Sequence, residues 1–186
     1  MFTTDRLLLR AYQPSDDAAL HALNNSLPVQ LAQRREPPSP TPMSFVTNTI
    51  VPKWFEQALF HAIITLKSSP STFIGYVCLV PPSVPKNRDA MYVISLKEEE
   101  WGRGYGSEVT KFVVDWGFRM GGLHRIWLGV FGSNVGAIKT YEKAGFVHEG
   151  RVRKANWIDG KWEDTVMMAI LDEDWEKMRA VDEKKQ

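Results

Sequence analysis

A single cysteine, Cys78, among 186 residues leaves no partner for an internal disulfide. Its place in the apolar run "FIGYVCLV" reads as a buried strand residue and not as a nucleophile. Histidine is also scarce. His21, His61, His124 and His148 are scattered without ligand spacing, so no metal site is expected. No apolar run approaches the roughly 20 residues that cross a bilayer, so no membrane partner is expected. Asp5, Arg6 and Arg10 interrupt the opening residues where a signal peptide would run apolar. The expected location is therefore cytoplasmic, intracellular and reducing. An excess of either charge is missing too: 23 Lys and Arg face 22 Asp and Glu, for a net charge of +1. Without a basic stripe, nucleic acid is not an expected partner, although a local site can still hold a small anion.

What remains is an ordinary globular composition, 44% hydrophobic and 24% charged, in a chain that suits one domain. Arg6–Tyr12 reads as a first strand and Pro14–Asn25 as a helix capped by Ser15. Residues 28–52, "PVQLAQRREPPSPTPMSFVTNTIVP", hold six prolines and read as a long loop insertion, since proline removes backbone donors and favours extended predecessors. "KWFEQALF" reads as a short amphipathic helix. "HAIITLK" and "TFIGYVCLV" form a hairpin around "SSPS", and "AMYVISL" is the next strand.

After Gly106, apolar residues at Val109, Phe112, Val113, Trp116 and Met120 trace one helical face, which Gly121 and Gly122 end. "RIWLGVF" is a central strand, apolar on both faces. "NVGAIKTYEKAGF" is a short helix with Asn134 as N-cap and Gly145 in the left-handed C-terminal position. Residues 147–171 form a last hairpin around Asp159–Gly160. The reading is one domain over residues 1–176, with a charged tail, 177–186, that frays. Strands, hairpins and interspersed helices together specify a mixed α/β sheet.

The stretch "EEEWGRGYGSEVTKF" places Gly102, Gly104 and Gly106 at a helix entrance, where unpaired amides and the helix dipole favour phosphate. A Walker loop requires a lysine that is absent here. A dinucleotide fold requires G-x-G-x-x-G and a later acid, whereas these glycines alternate and the following strand ends in Gly, Ser and Asn. A nucleotide-binding module fails on both spacings.

A third pattern fits. Trp101–Gly106 resembles the pyrophosphate loop Q/R-x-x-G-x-G/A of the GCN5-related N-acetyltransferase (GNAT) superfamily. "NVGAIKTYEKAGF" resembles its second signature, N-x-x-A-x-x-x-Y-x-x-x-G-F, at Asn134, Ala137, Tyr141, Gly145 and Phe146. The two ends of the chain look like the ribosomal-protein and spermidine acetyltransferase branch. The resemblance covers nearly the whole chain and is weakest over the proline segment. One departure is Trp101, where the pattern has Gln or Arg.

The resemblance implies a GNAT fold, a mostly antiparallel twisted sheet splayed into a V-shaped acetyl-CoA cleft and flanked by helices. It implies transfer of acetyl from acetyl-CoA to a primary amine, whether a small amine, a polyamine or a protein amino group, by direct attack on the thioester and by a monomer or a homodimer. Ile94 and Leu96 would offer backbone groups to the pantetheine arm. Arg103, Gly104, Tyr105, Gly106 and Ser107 would surround the pyrophosphate, and Asn134 and Ala137 would complete the cofactor site. Tyr141 matches the tyrosine that protonates the departing thiolate, as an alternative to simple packing against the sheet. Glu98 or Glu99 is a candidate base, beside a water relay. The acceptor would meet the proline segment around 34–42 and the hairpin residues Asn156, Trp157 and Trp162, with Asp159, Glu163 and Asp164 as counter-charges for a cationic amine. A non-catalytic acyl-CoA sensor on the same fold is the rival reading.

Overall fold

A computed structural model describes residues 1–82 and 84–183. Its strands are β1 (Phe2–Thr3), β2 (Leu7–Arg10), β3 (Phe60–Leu66), β4 (Phe73–Val80), β5 (Asp89–Leu96), β6 (Arg125–Phe131), β7 (Val147–Ile158) and β8 (Lys161–Leu171). They form one sheet in the order β1-β2-β3-β4-β5-β6-β8-β7. Only β5 and β6 run parallel; every other neighbouring pair is antiparallel. Among the described residues the α-helices are α1 (Asp17–Asn25), α2 (Leu27–Gln33), α3 (Tyr105–Arg119), α4 (Val135–Lys143) and α5 (Asp172–Glu183).

The isoleucine run in β3 shows why both faces of the sheet are apolar. Successive side chains point to opposite faces. Ile64 joins a core with Ile74, Leu79 and the α3 residues Val109 and Val113. Ile63 joins another, with Tyr76, Cys78, Leu20 and Leu23. Each fully buried Val, Leu or Ile contributes about 1.5–3 kcal/mol, so two helix-covered faces account for the missing period-2 alternation. Cys78 is buried, and burial pushes its thiol well up, as its strand context implied.

Five local expectations change. Ser15 does not cap a helix, because Pro14 opens a 3₁₀ turn over Pro14–Asp16 and α1 starts only at Asp17. The proline segment is not one loop. Pro28 is accommodated at the start of α2, and Val46–Phe55 forms a wide π-type helix with Pro52 inside it. That helix buries Val46, Ile50 and Phe55, and it replaces the short helix expected from Lys53 onward. Met120 leaves the apolar face of α3 and is 68% exposed. Gly122 takes φ +60 there, and the Leu123 amide turns back to the Gly117 carbonyl, which brings Leu123 inward instead. Finally, helix α5 continues past Lys177 to Glu183. Trp175 packs on Phe118 with ring centroids 5.5 Å apart, and Met178 sits where a Gly145 side chain would be. Residues 184–186 of the expected tail lie outside the described residues.

The link between β2 and α1 is an ion pair. Arg10 Nη1 and Nη2 donate to Asp16 Oδ2 and Oδ1 at 2.8 and 2.6 Å, and the Gln13 amide donates to Oδ2 at 2.9 Å. Burial pushes the Asp16 carboxyl up, but Arg10 and the Gln13 amide outweigh it and hold it below the usual range. A depressed carboxylate stabilises the fold above its unfolded value, near 4, and that stability fades as pH falls through the lower folded value. Asp16→Asn is expected to cost about 1–3 kcal/mol at pH 7 and less at pH 3. Urea denaturation at both values checks this; equal losses would remove the ionised pair from the account.

Candidate active site

Strands β5 and β6 pair only through Asp89–Arg125, Ala90–Ile126 and Met91–Trp127. Beyond Met91, β5 stays paired with β4 as far as Leu96, while β6 stays paired with β8 as far as Phe131. The two central strands therefore part, leaving an open β5 edge over residues 92–96. Ile94 and Leu96 lie on this edge. The Leu96 carbonyl is taken by the Trp101 indole, whose Nε1 donates to it at 2.9 Å. Trp101 thus acts through its single donor and not by packing alone.

The chain then enters α3 through a 3₁₀ turn at Glu98–Glu100 and the glycine stretch. Gly102 and Gly104 adopt φ +74 and +82, a left-handed backbone that other residues rarely take. The first internal bond of α3 runs from the Glu108 amide to the Gly104 carbonyl at 3.1 Å. The amides of Gly104, Tyr105, Gly106 and Ser107 precede it and so lack helical partners. The loop is clamped from outside. Arg6 donates to the Arg103 carbonyl at 3.0 Å, pairs with Glu108 at 2.7 Å and lies 4.7 Å from the Tyr105 ring centroid. Tyr105 is buried, so any contact it makes with a ligand comes from its backbone. Arg103 is exposed, with Nε 3.5 Å from Glu100. A β-carbon on Gly106 would stand 3.6 Å from Leu96 Cδ1 and 3.7 Å from Thr140 Cγ2, so this glycine faces the gap between β5 and α4.

Helix α4 supplies the other wall. Asn134 Oδ1 accepts from the Ala137 amide at 3.1 Å, which confirms it as the N-cap, and its Nδ2 has no partner among the described residues. Tyr141 lies edge-on to Tyr92 at 6.0 Å and packs on Phe146 at 5.8 Å. Tyr92 is the first β5 residue beyond the last β5–β6 pair, so Tyr141 stands where the strands part. Burial pushes its phenol up to about 12, which keeps it protonated at neutral pH. Its hydroxyl has no hydrogen-bond partner among the described residues. In the sequence Tyr92 is one aromatic in an apolar strand, with no local motif to mark it. Its own hydroxyl is bonded to Thr110 at 2.8 Å.

Within the acidic turn, Glu99 is poorly suited to proton abstraction. Lys97 pairs with Glu99 at 2.5 Å and holds its carboxyl below the usual range, which makes it a weaker base.

The residues expected on the acceptor side gather elsewhere. A groove of about 480 Å³ lies between Arg35 and Pro37 of the proline segment and Asn156, Trp157, Thr165 and Met167 of the β7–β8 hairpin. Asn156 is buried and donates to Thr165 Oγ1 at 2.8 Å. Trp157 lines the groove, and Trp162, its cross-strand partner, meets it edge-on at 5.3 Å. Two of the three expected counter-charges are already engaged. Asp164 accepts from Arg151 and from the Lys154 amide, and Glu163 pairs with Lys161. Among the described residues no cluster of His, Cys, Asp or Glu could hold a metal ion, and no helix is long and apolar enough to cross a membrane.

Comparison with known proteins bears on this arrangement. Residues 6–147 match the family model described as an acetyltransferase (GNAT) domain. A spermidine N(1)-acetyltransferase of Vibrio cholerae is 28% identical over 89% of this chain and 93% of its own length. A probable N-acetyltransferase of Bacillus subtilis, YjcK, is 45% identical over a shorter stretch, 41% of this chain and 42% of that protein. The crystal structure of the Vibrio cholerae spermidine N-acetyltransferase with CoA and spermine superposes with a TM-score of 0.79 at 26% identity, covering 91% of this chain and 97% of that one.

Proposed function

The chain belongs to the GNAT acetyltransferase family, and from that premise we propose that it transfers acetyl from acetyl-CoA to an amine by direct attack on the thioester. The observation that carries the reading is the parting of β5 and β6 with Tyr141 at its apex and the glycine-lined start of α3 at its open end. The fit to CoA rests on these features of the chain. The free amides of Gly104 to Ser107, with the Arg103 backbone, suit a pyrophosphate at a helix N-terminus. The open edge at Ile94 and at the amide of Leu96, whose carbonyl is held by Trp101, suits the amides of the pantetheine arm, in the manner of an added strand. Asn134 Nδ2, beside Ala137, is a donor for the same arm.

Acetyl-CoA supplies the activated acyl group. The neutral amine attacks the carbonyl carbon, a C–N bond forms and the C–S bond breaks. The thiolate takes a proton from the Tyr141 hydroxyl, and the nitrogen loses one to water, which can reprotonate the phenolate. A protonated phenol poised for developing negative charge is worth most in the transition state. Glu98 remains a candidate to assist that water; Glu99, tied to Lys97, is the weaker one.

The test is release of free CoA and appearance of N-acetyl product, measured with acetyl-CoA and a panel of polyamines, small amines and peptides. Turnover well above the uncatalysed rate is expected with at least one class. Tight CoA binding without turnover across the panel would favour the acyl-CoA sensor instead.

A further inference from the structure

We propose that the acceptor is an amine that also carries an anionic group, read by Arg35 at the groove between the proline segment and the β7–β8 hairpin, with Arg34 beside it at the end of α2. This deepens the acetyltransferase reading and rests on it for the identity of the groove as the acceptor side.

The walls of the groove contain one charged side chain, Arg35, and no carboxylate. Arg35 is exposed and makes no hydrogen bond or ion pair with the described residues. A second, more open depression shares Val152 with the first and is lined otherwise by Arg151, Arg153 and Lys154. The two nearest acids of the hairpin are neutralised within it: Asp164 by Arg151 and the Lys154 amide, Glu163 by Lys161. Asp159 sits at the hairpin tip with a left-handed backbone and lines neither hollow.

Arg34 is the second observation. It is half-buried just past α2, yet among the described residues its partners are the Phe45 ring, 4.9 Å from its guanidinium carbon, and the neutral Asn24 amide at 3.5 Å. A guanidinium removed in part from water and left without an anion has unused donors in a fork that matches carboxylate or phosphate. Its position relates it to the cleft. It is the C-terminal cap of α2, and α2 packs against both β5 and β6, the two strands that part. A polyamine would place several cations in a groove whose lining carries the Arg35 guanidinium and no carboxylate; Glu36, exposed beside Arg35 in the chain, is not part of that lining. Like charges in a partly desolvated groove repel, so the lining disfavours that substrate class.

Two matched series test this. The first is 3-aminopropyl phosphate, 3-aminopropanol and 1,3-diaminopropane, which share their reach and differ in terminal charge. The second is the peptide amides Ala-Ala-Glu, Ala-Ala-Gln and Ala-Ala-Lys, which distinguish an acidic peptide from a small anionic amine. In at least one series the anionic member should exceed the neutral one in kcat/KM by about tenfold or more, through KM, as expected for charge-assisted hydrogen bonds. Arg35→Gln, at an exposed position unconnected to the fold, should reduce that ratio severalfold, and Arg34→Gln should do so if it folds. An equal or greater rate with the cationic members overturns the proposal and leaves acetyl transfer intact. An anionic preference that Arg35→Gln leaves unchanged also overturns it. Calorimetry of the same compounds on CoA-loaded protein separates the two readings. Arginine-dependent binding of the anionic member without any turnover would retain the charge reading and reject acetyl transfer; no binding and no turnover would reject both.

Discussion

Tyr141→Phe is expected to lower kcat by at least about tenfold, within the roughly 100- to 10,000-fold range of general acid assistance and reduced where water substitutes. Phenylalanine keeps the ring that packs on Tyr92 and Phe146 and removes only the hydroxyl. That hydroxyl has no partner among the described residues, so its loss breaks no hydrogen bond of the fold and stability should hardly move. The burial that raises the phenol to about 12 also keeps its proton in place through neutral pH. The proton is needed only once the C–S bond begins to break, so affinity for CoA should stay unchanged while turnover falls. Single-turnover measurements, with CoA affinity taken separately, check both parts. Full turnover in the variant, with chemistry shown to be limiting, would reduce Tyr141 to a packing residue of α4.

Gly106→Val should weaken CoA binding by at least tenfold, a change of about 1.4 kcal/mol. Gly106 is a better choice than Gly104, where φ +82 would strain any side chain and confuse loss of fold with loss of site. At Gly106 a β-carbon meets Leu96 and Thr140 at 3.6 and 3.7 Å, ordinary contact, so the helix should form. Valine is also a better helix former than glycine by a few tenths of a kcal/mol. Its two methyl groups would then occupy the gap between the end of β5 and α4, over amides that suit phosphate. Circular dichroism establishes the fold and calorimetry the affinity. A folded variant with unaltered affinity would move the pyrophosphate away from this loop.

How far the sequence could be read depended on whether an element's neighbours lie close in the chain. Helix α3 and the two hairpins were legible because a 3.6-residue apolar period and the Asp159–Gly160 turn are local signals. The β5–β6 cleft was legible through its two glycine- and asparagine-marked motifs. The helix at Val46–Phe55 was not, because its wide turns suit neither the usual helical period nor the usual reading of Pro52. The last helix looked like a frayed tail from its charges, yet Trp175 and Met178, three residues apart, dock it on Phe118 and over Gly145. At the groove between the proline segment and the last hairpin, Asn156 and Trp157 come together with Arg35, but the charge balance could not be read. It depends on Arg35 meeting residues more than a hundred positions later, and on which acids are already paired.

The indole of Trp101 has a consequence for the protein before any ligand arrives. A bare strand edge is a template on which a foreign strand can add, and soluble proteins keep such edges short or covered. Here the exposed edge runs only over residues 92–96, and its last carbonyl already receives the Trp101 N–H. The same tryptophan that departs from the family's usual Gln or Arg thus trims the template by one acceptor at its open end. Self-association through this edge should be correspondingly discouraged, while the inner stretch stays available to a slender amide chain entering lengthwise.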